Sequence, residues 1–128
     1  MKILYVCEYN QGRSPIAEYL HRRINPKDEV KSAGINLKAS GDTIPKVIWD
    51  IMNEIGVDLS NHRTGNLNPL MVQNADRIFV LCEKEKCPVF LTDSPKAVYI
   101  KTKDPYHKSK EELREIRKSI ETLVKSLI

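Results

Sequence analysis

The N-terminal segment constrains the fold of this chain more than any other part of the sequence. Residues 3–6 form a β-branched, apolar run that is typical of a buried strand, and Cys7 follows it directly. Ser14 and Pro15 come shortly afterwards, and these residue types are favoured at the N-cap and at the first position of a helix. The segment therefore predicts a strand, a tight loop and a helix with Ser14 as its N-cap and Pro15 as its first residue, in that order.

The rest of the sequence repeats this alternation. Strand candidates lie at residues 29–34, 77–82 and 97–100, and helix candidates lie at residues 16–25, 40–56, 66–73 and 109–127. Strands that alternate with helices form a parallel sheet whose two faces are covered by those helices. The sequence therefore predicts a single domain over residues 1–128 with a three-layer α/β fold and a parallel sheet of about four strands.

Two of the predicted helices have a clear apolar face. We expect the first to start at residues 40–42 and to end at Gly56, a suitable C-cap, while Ser109 and Glu112 form a capping box for the second. Trp49 lies off the apolar face of the first helix, so it is either partly exposed or part of a pocket rim. The buried stripes consist of Ile44, Val47, Ile48, Ile51, Met52 and Ile55 in the first helix and of Leu113, Ile116, Ile120, Leu123, Val124 and Leu127 in the second.

The loop between the first strand and the first helix has the features of an anion-binding site. Its backbone N–H groups point at one place beside the positive end of the helix dipole, which favours a bound oxyanion. The same field favours a thiolate at Cys7, and the planar guanidinium of Arg13 suits two oxygens of a tetrahedral anion. We predict that Cys7 is a nucleophile and that the substrate-binding loop consists of Glu8, Tyr9, Asn10, Gln11, Gly12, Arg13 and Ser14.

A simpler interpretation of Cys7 competes with this one. A cysteine at the end of a first strand is often a small buried hydrophobe, and a cysteine and an arginine at this spacing also occur by chance. The position of the pair between a strand and a helix start is the structural context that such a motif requires. We therefore favour the catalytic interpretation.

Two further candidates follow predicted strands. Cys82 ends the strand over residues 77–82, and Asp104 comes shortly after the last strand. Because ligands of parallel sheets bind at the carboxyl ends of the strands, we expect Cys7, Cys82 and Asp104 to meet at one edge. An aspartate before a proline is commonly a turn residue, but at this edge Asp104 is placed to protonate a leaving oxygen.

Cys82 and Cys87 flank a charged segment, and the residues alone leave three interpretations open. In the first, Cys82 is a core residue and Cys87 is incidental. In the second, the pair contributes to a zinc site, although the sequence has no second pair of suitable spacing. In the third, both thiols act with Cys7 in a thiol–disulfide relay, which requires the charged segment to move so that the two sulfurs can bond.

Composition narrows the class of protein and its environment. The net charge of +4 comes without a basic stripe with interleaved aromatic residues, so we do not expect nucleic-acid binding. No apolar run is long enough to span a bilayer and the N-terminus lacks a signal-peptide pattern, so we expect a cytosolic protein without a membrane partner. In that reducing compartment, three cysteines favour catalysis or redox chemistry over structural disulfides. We expect a monomer.

No metal ion or organic cofactor is expected. His21, His62 and His107 are dispersed along the chain and receive no role, and His62 is expected to be solvated in its polar loop. Glu18 is interpreted as a surface or loop-supporting carboxylate. Because the electrons of the relay come from cysteines, that chemistry needs no bound cofactor.

The motifs together resemble those of the low-molecular-weight protein tyrosine phosphatase superfamily, which includes the thioredoxin-coupled arsenate reductases. The resemblance rests on Cys7 and Arg13-Ser14-Pro15, on residues 32–34 (Ser-Ala-Gly) and on Asp104-Pro105, and it covers essentially the full length. It implies that Cys7 is the nucleophile, Arg13 the oxyanion clamp and Asp104 the general acid. It also implies that Asn10 and Ser14 fix the loop and the thiolate.

Two branches of this superfamily differ after the third strand. Leu81-Cys82 and Cys87-Pro88 are similar to the arsenate reductase pattern, although their spacing is shorter than usual, whereas Asp104-Pro105-Tyr106 is similar to the phosphatase loop. Tyr9 stands where a glycine is usual and Gly12 where a second cysteine is common, so we expect Tyr9 to narrow the anion loop or to alter its entrance.

The resemblance favours an arsenate reductase. It implies that Cys7 attacks arsenate, that Cys82 and Cys87 complete the relay, and that a thioredoxin-type reductant restores the thiols. The alternative is a phosphatase that hydrolyses phosphate monoesters through a phosphocysteine at Cys7, with Asp104 as general acid. A third interpretation is an oxyanion-binding or redox-signalling module without turnover.

Overall fold

The computed structural model describes residues 1–36 and 41–128. Within these ranges the strands are β1 (Lys2–Cys7), β2 (Glu29–Gly34), β3 (Arg77–Val80) and β4 (Ala97–Tyr99). They form one parallel sheet in the order β2-β1-β3-β4, so β1 lies inside the sheet between β2 and β3. This architecture confirms the predicted α/β fold with a four-stranded parallel sheet.

Helices connect the strands and follow the last one. They are α1 (Arg13–Ile24), α2 (Lys46–Asn53), α3 (Pro69–Asn74), α4 (Val89–Thr92) and α5 (Lys110–Leu127), and a 3₁₀ turn (Lys84–Lys86) lies between β3 and α4. The described part of the chain contains no helix that combines the length and the apolar character needed to cross a bilayer.

Strand β1 shows how the two faces of the sheet are covered. Its side chains alternate, so Ile3 and Tyr5 pack into a cluster with residues of α1, α2 and α5. Leu4 and Val6 point the other way and pack with residues of α3 and α4. Because both faces of β1 are buried, the run is apolar throughout, and the prediction of helices on both faces is confirmed.

Helix α1 begins at Arg13, and the prediction that it begins at Pro15 with Ser14 as its N-cap is wrong. Gly12 occupies the N-cap position, and its carbonyl accepts the first helical hydrogen bond from the N–H of Ile16 at 3.0 Å. Pro15 is compatible with this start because N–H groups in the first turn have no helical partner. The hydroxyl of Ser14 consequently does not cap the helix and forms hydrogen bonds within the loop instead.

Helix α2 begins at Lys46, later than the sequence predicts; of the predicted start, Ser40 lies outside the described residues. Thr43 forms an antiparallel bridge with Arg63, which holds this part of the chain in an extended conformation. Pro45 then follows, and the residue before a proline is disfavoured in the helical region. The helix therefore cannot start before Pro45, which is its N-cap.

The buried face of α2 contains most of the apolar residues predicted for it, but not Val47. Ile48, Ile51 and Met52 are buried in the core, whereas Val47 is 38% exposed. Trp49 is half-buried and packs against the same core cluster, so the prediction that it is partly exposed is confirmed.

Several elements end earlier along the chain than predicted. Helix α2 ends at Asn53, and Gly56 lies in the turn beyond the helix, where its φ of +78° is one that glycine adopts easily. Strand β3 ends at Val80, although the N–H of Leu81 still donates to Val6 O at 2.7 Å. The carbonyl of Leu81 instead turns towards the anion loop, as described below.

Helix α5 matches its prediction closely. The Ser109–Glu112 capping box is present in both directions. The predicted stripe faces the core cluster, with Leu113, Ile116, Ile120 and Val124 buried and with Leu123 and Leu127 partly buried against it.

Candidate active site

Asn10 fixes the loop between β1 and α1. Its φ is +52°, a left-handed conformation that asparagine tolerates better than most residues. Its amide donates to Ser14 Oγ at 2.8 Å and to Ser32 Oγ at 2.9 Å, and its Oδ1 lies 3.2 Å from Nε2 of His62. The side chain is fully buried, so these bonds join the loop to β2 and to the segment after α2.

A directed chain of hydrogen bonds ends at Cys7. The Ser32 hydroxyl donates to the buried Glu18 carboxylate and accepts from the Asn10 amide. The other amide hydrogen of Asn10 donates to Ser14 Oγ, so the Ser14 hydroxyl hydrogen is free to donate to Cys7 Sγ, which lies 2.9 Å away. The direction of the whole chain favours negative charge on that sulfur. Glu18 is thus a loop-supporting residue and not a surface one.

Burial raises the pKa of Glu18, while the hydrogen bond from Ser32 and the charge of Arg22 act in the opposite direction. Arg22 forms an ion pair with this carboxylate from one helical turn later. The ion pair and the hydrogen bond both favour the ionised carboxylate that orients the chain of donors.

Arg13 is held by the end of β3. Its Nη1 donates to the carbonyl of Leu81 at 2.9 Å, and Thr102 Oγ1 donates to the same carbonyl at 2.8 Å. Arg13 is only 8% exposed, so the guanidinium has a fixed position beside the loop. This contact explains why Leu81 leaves the β-ladder.

A cavity of about 240 Å³ opens above Cys7, and Arg13 and Asp104 also line it. The anion loop and the Asp104–Pro105 segment approach each other at Gly12, because a Cβ at this position would come within 2.6 Å of Pro105 Cγ. Its remaining lining residues are Tyr9, Gln11, Pro45, Val47, Ile48, Tyr106 and His107. Tyr9 lines this cavity and is 43% exposed, and its effect on access to the anion loop stays a prediction.

Asp104 lies at the junction of two cavities. Its Oδ1 accepts a hydrogen bond from the N–H of Tyr106 at 3.0 Å, so it is a turn residue, as one interpretation predicted. It also lines the Cys7 cavity and a smaller one of about 80 Å³, into which Cys82 faces. The structure therefore places Cys7, Cys82 and Asp104 at one edge of the sheet, as expected from the strand order.

The three cysteines are free thiols, and the charges of both Cys7 and Cys87 act on the pKa of Cys82. Burial, together with the neighbouring Cys87 and Cys7, raises the pKa of Cys82 to about 12, against the lowering effect of Arg13. Burial also raises the pKa of Cys87, and a hydrogen bond with Cys82 opposes that rise. The 3₁₀ turn Lys84–Lys86 leads to Cys87, which packs against the apolar cluster that contains Cys82, and the Cys87 thiol donates to the carbonyl of Glu83 at 3.5 Å. The movement that would let the two sulfurs bond stays a prediction. Within the described ranges, no three His, Cys, Asp or Glu side chains are grouped to hold a metal ion.

The side chain of Glu8 does not line the Cys7 cavity, and the predicted part of Glu8 in anion binding is that of the loop's backbone N–H groups. The side chain is directed sideways, where its Oε2 accepts a hydrogen bond from Lys86 Nζ at 2.9 Å. Burial would raise the pKa of Glu8, but hydrogen bonds from Lys86, Tyr9 and Asn36 and the charge of Lys86 hold it below its ordinary value. The structure thus separates this carboxylate from an incoming anion.

The expectation that His62 is solvated is wrong. His62 is 8% exposed, its ring packs edge-on against Tyr19, and its Nδ1 lies 3.8 Å from Glu18 Oε1. Burial and the charges of Arg22 and Arg63 lower its pKa, so the neutral ring donates its Nε2 hydrogen to Asn10 Oδ1. No local pattern marks this contact in the sequence, because the two residues are far apart along the chain.

The comparisons with known proteins agree with this geometry. The sequence profile of the family described as "Low molecular weight phosphotyrosine protein phosphatase" matches residues 2–128. The chain belongs to this family. The predicted superfamily is therefore confirmed, and with it membership in a family of enzymes.

Two relatives from curated proteins illustrate different names within the family. "Arsenate reductase 2" of Staphylococcus epidermidis is 32% identical over 127 residues, which cover 97% of this chain and 93% of the relative. "Probable low molecular weight protein-tyrosine-phosphatase EpsP" of Ralstonia solanacearum is 37% identical over 84 residues, which cover 66% of this chain and 57% of the relative.

Solved structures of the family share the fold. Wzb of Vibrio vulnificus in complex with benzylphosphonate superimposes with a TM-score of 0.86 at 26% identity, covering 98% of this chain and 95% of that one. The tyrosine phosphatase amsI of Erwinia amylovora has a TM-score of 0.85 at 27% identity, covering 97% and 88%.

Proposed function

We propose that this family member is an arsenate reductase that uses Cys7, Cys82 and Cys87 and is restored by a thioredoxin-type dithiol protein. The observation that carries the proposal is the place of Cys82, which lines a cavity together with Arg13 and lies in the apolar cluster against which Cys87 packs. The reductase relative that matches over nearly the whole chain supports the same activity. A reducing compartment such as the cytosol suits this chemistry, and the chain acts as a monomer in this scheme.

The first step forms a bond between sulfur and arsenic. The Cys7 thiolate attacks the arsenic atom of arsenate, an S–As bond forms, and one oxygen leaves as water after protonation. The guanidinium of Arg13 and the loop N–H groups bind the remaining oxygens. The Ser14 hydroxyl, 2.9 Å from Cys7 Sγ, supports the attacking thiolate.

The second step is the reduction. Cys82, after losing its proton, attacks Cys7 Sγ, so an S–S bond forms and the S–As bond breaks. The electron pair of that bond stays on arsenic, which falls from the +5 to the +3 state and leaves as arsenite. Cys87 then attacks Cys82, releases the Cys7 thiolate and leaves a Cys82–Cys87 disulfide. Two thiols together supply the two electrons that arsenic gains, and the dithiol protein returns them to the pair.

A second candidate function uses the same first step on a phosphate monoester. It is favoured by one observation, the position of Asp104 in the wall of the Cys7 cavity. There Asp104 protonates the leaving oxygen, and water then hydrolyses the phosphocysteine. The reaction requires neither Cys82 nor Cys87.

One set of variants separates the two functions. Wild type, Cys7→Ser, Cys82→Ser and Cys87→Ser are each assayed for arsenate-dependent oxidation of thioredoxin and for hydrolysis of an aryl phosphate. The reductase predicts that all three substitutions abolish arsenate turnover and that only Cys7→Ser abolishes hydrolysis.

Other results count against the proposal in specific ways. Undiminished arsenate turnover in Cys87→Ser removes that residue from the relay. Hydrolysis without arsenate turnover in the wild type assigns the protein to the phosphatases, and inactivity in both assays points to an anion-binding module.

A further inference from the structure

An ion pair joins the neighbours of two of the proposed reactive cysteines. Glu8 directly follows Cys7, and Lys86 directly precedes Cys87. Lys86 Nζ lies 2.9 Å from Glu8 Oε2 and 3.6 Å from a carboxylate oxygen of Glu83. The pair therefore links the anion loop to the 3₁₀ turn that directly precedes Cys87.

We propose that Glu8 and Lys86 are positioning residues that hold the Cys87 segment against the anion loop, so that thiol–disulfide exchange among the cysteines is fast. This inference rests on the proposed function for its place in turnover. The physical claim itself, that the ion pair keeps Cys87 beside Cys82, holds whether or not arsenate is the substrate.

The burial of the two partners gives the pair its strength. The Glu8 side chain is 9% exposed, whereas that of Lys86 is 48% exposed. A buried carboxylate needs a partner, because an unpaired charge out of water is costly. Glu8 therefore anchors the pair within the protein, and the long Lys86 side chain connects the surface turn to that anchor.

The charge of the pair also matters for the anion site. An unpaired carboxylate one residue after the nucleophile would repel an oxyanion, and Lys86 cancels that charge. The small cavity that Glu8 and Lys86 line also contains Arg13, Cys82 and Asp104. The ion pair therefore lines the same small cavity as Cys82, one of the three cysteines of the proposed relay.

The test compares Lys86→Gln with the matched control Lys84→Gln. The control removes the same charge from the same turn, but Lys84 contacts the Tyr99 ring, with its Nζ 5.5 Å from the ring centroid. Two rates of Cys82–Cys87 disulfide formation are measured by mass spectrometry of alkylated peptides. The first is triggered by arsenate without reductant. The second, in a Cys7→Ser background without arsenate, is triggered by diamide, which takes two electrons and two protons from a pair of thiols. Thermal unfolding of each variant is recorded.

We expect Lys86→Gln to slow both rates by about tenfold, in line with the loss of one charged hydrogen bond to a buried carboxylate, and Lys84→Gln to change them by less than about twofold. In the diamide assay, where no oxyanion binds, Glu8→Gln should match Lys86→Gln, and the double variant should be no slower than either, since all three break one contact. In Lys86→Gln, aryl phosphate hydrolysis should show a raised KM with an unchanged kcat.

The outcomes separate this inference from the proposed function. If wild type forms no disulfide with arsenate but the diamide rate still falls in Lys86→Gln, the reductase assignment fails and the positioning role stands. Equal effects of Lys84→Gln and Lys86→Gln, unchanged diamide rates in Lys86→Gln, or independent effects of Glu8→Gln and Lys86→Gln would each overturn the positioning role.

Discussion

At the scale of the residue, the hydroxyl of Ser14 is the last donor of the chain that starts at Glu18 and ends at Cys7. Ser14→Ala removes the hydrogen bond to sulfur and also leaves one amide hydrogen of Asn10 without its acceptor. A hydrogen bond to a charged group contributes roughly 1.5–3 kcal/mol, so kcat should fall by about 10- to 100-fold in both reactions.

Steady-state assays with arsenate and with an aryl phosphate measure this loss. Ser126→Ala, whose hydroxyl donates to the carbonyl of Leu123 on the surface of α5, is the matched control. A normal kcat in Ser14→Ala would show that the hydroxyl does not support the nucleophile.

The pKa of Cys82 makes a separate prediction for the proposed relay. Because that pKa is raised to about 12, Cys82 is a thiol at neutral pH, and its thiolate fraction grows about tenfold with each pH unit below this value. Arsenate-triggered disulfide formation in a single turnover should therefore speed up strongly from about pH 7 to about pH 9. Aryl phosphate hydrolysis does not use Cys82 and should not show this rise; a flat profile for disulfide formation would remove Cys82 as the limiting attacker.

Site residues are predictable from the sequence when their contacts are local along the chain, and not when their partners lie far away in the sequence. Cys7, Arg13 and Ser14 were found because a local strand–loop–helix pattern orders them. His62 was assigned to solvent because its contact with Asn10 is made across the fold, which no spacing rule reveals. The ion pair of the Glu8 side chain with Lys86 has no local signal either, because the two residues lie far apart along the chain.

At the scale of the element, the order and type of the main strands and helices followed from hydrophobic periodicity, whereas their starts depended on tertiary contacts. Helix α5 was predicted with its cap because Ser109 and Glu112 form a local signal. Helix α2 starts later than predicted because a bridge between Thr43 and Arg63 and then Pro45 keep the chain extended. Only the proline half of that reason is visible in the sequence.

The contact between two loops gives a prediction at this scale. In Gly12→Ala the new Cβ would meet Pro105 Cγ at 2.6 Å, so the Asp104–Pro105 segment must shift away from Cys7. Displacement of a general acid by a fraction of an ångström should lower kcat for aryl phosphate hydrolysis by about tenfold. Arsenate-triggered disulfide formation, which does not use Asp104, should fall less.

Gly65→Ala is the matched control, because a Cβ there has no atom within 4 Å and the backbone N–H is kept. Both reactions are measured for each variant. An equal loss of both reactions in Gly12→Ala would mean that the substitution disturbs the anion loop itself and says nothing about Asp104.

At the scale of the whole molecule, α5 is fastened to α2 by a cluster of charges. Glu54, just past the end of α2, accepts a bifurcated hydrogen bond from Arg114 Nε, which lies 3.0 Å from each carboxylate oxygen. It also accepts one hydrogen bond from Arg114 Nη2 at 2.7 Å and one from Arg117 Nη1 at 2.8 Å. Arg117 is 7% exposed and also donates to the carbonyl of Ile51. Since α2 also supplies Val47 and Ile48 to the Cys7 cavity, this clamp links the C-terminal helix to the wall of the site.

The clamp predicts how stability depends on acid. The hydrogen bonds from Arg114 and Arg117 lower the pKa of Glu54 from its ordinary value of 4.5 to about 2 in the folded protein. A carboxyl whose pKa is depressed by folding adds stability that is fully present above its unfolded pKa and is lost as the pH falls through the folded one. The contribution of Glu54 should therefore disappear between about pH 4.5 and about pH 2.

Urea unfolding midpoints of wild type and Glu54→Gln at a series of pH values measure this contribution. The wild type should be the more stable of the two near neutrality, and the difference should shrink steadily across the acid window because protonated Glu54 resembles glutamine. Glu121→Gln removes a carboxylate that pairs with one exposed lysine of its own helix, Lys125, and should give a smaller and flatter difference because exposed pairs contribute little. A Glu54→Gln difference that is constant with pH would mean that the clamp acts through packing alone, and that α5 is held to α2 by its buried apolar stripe.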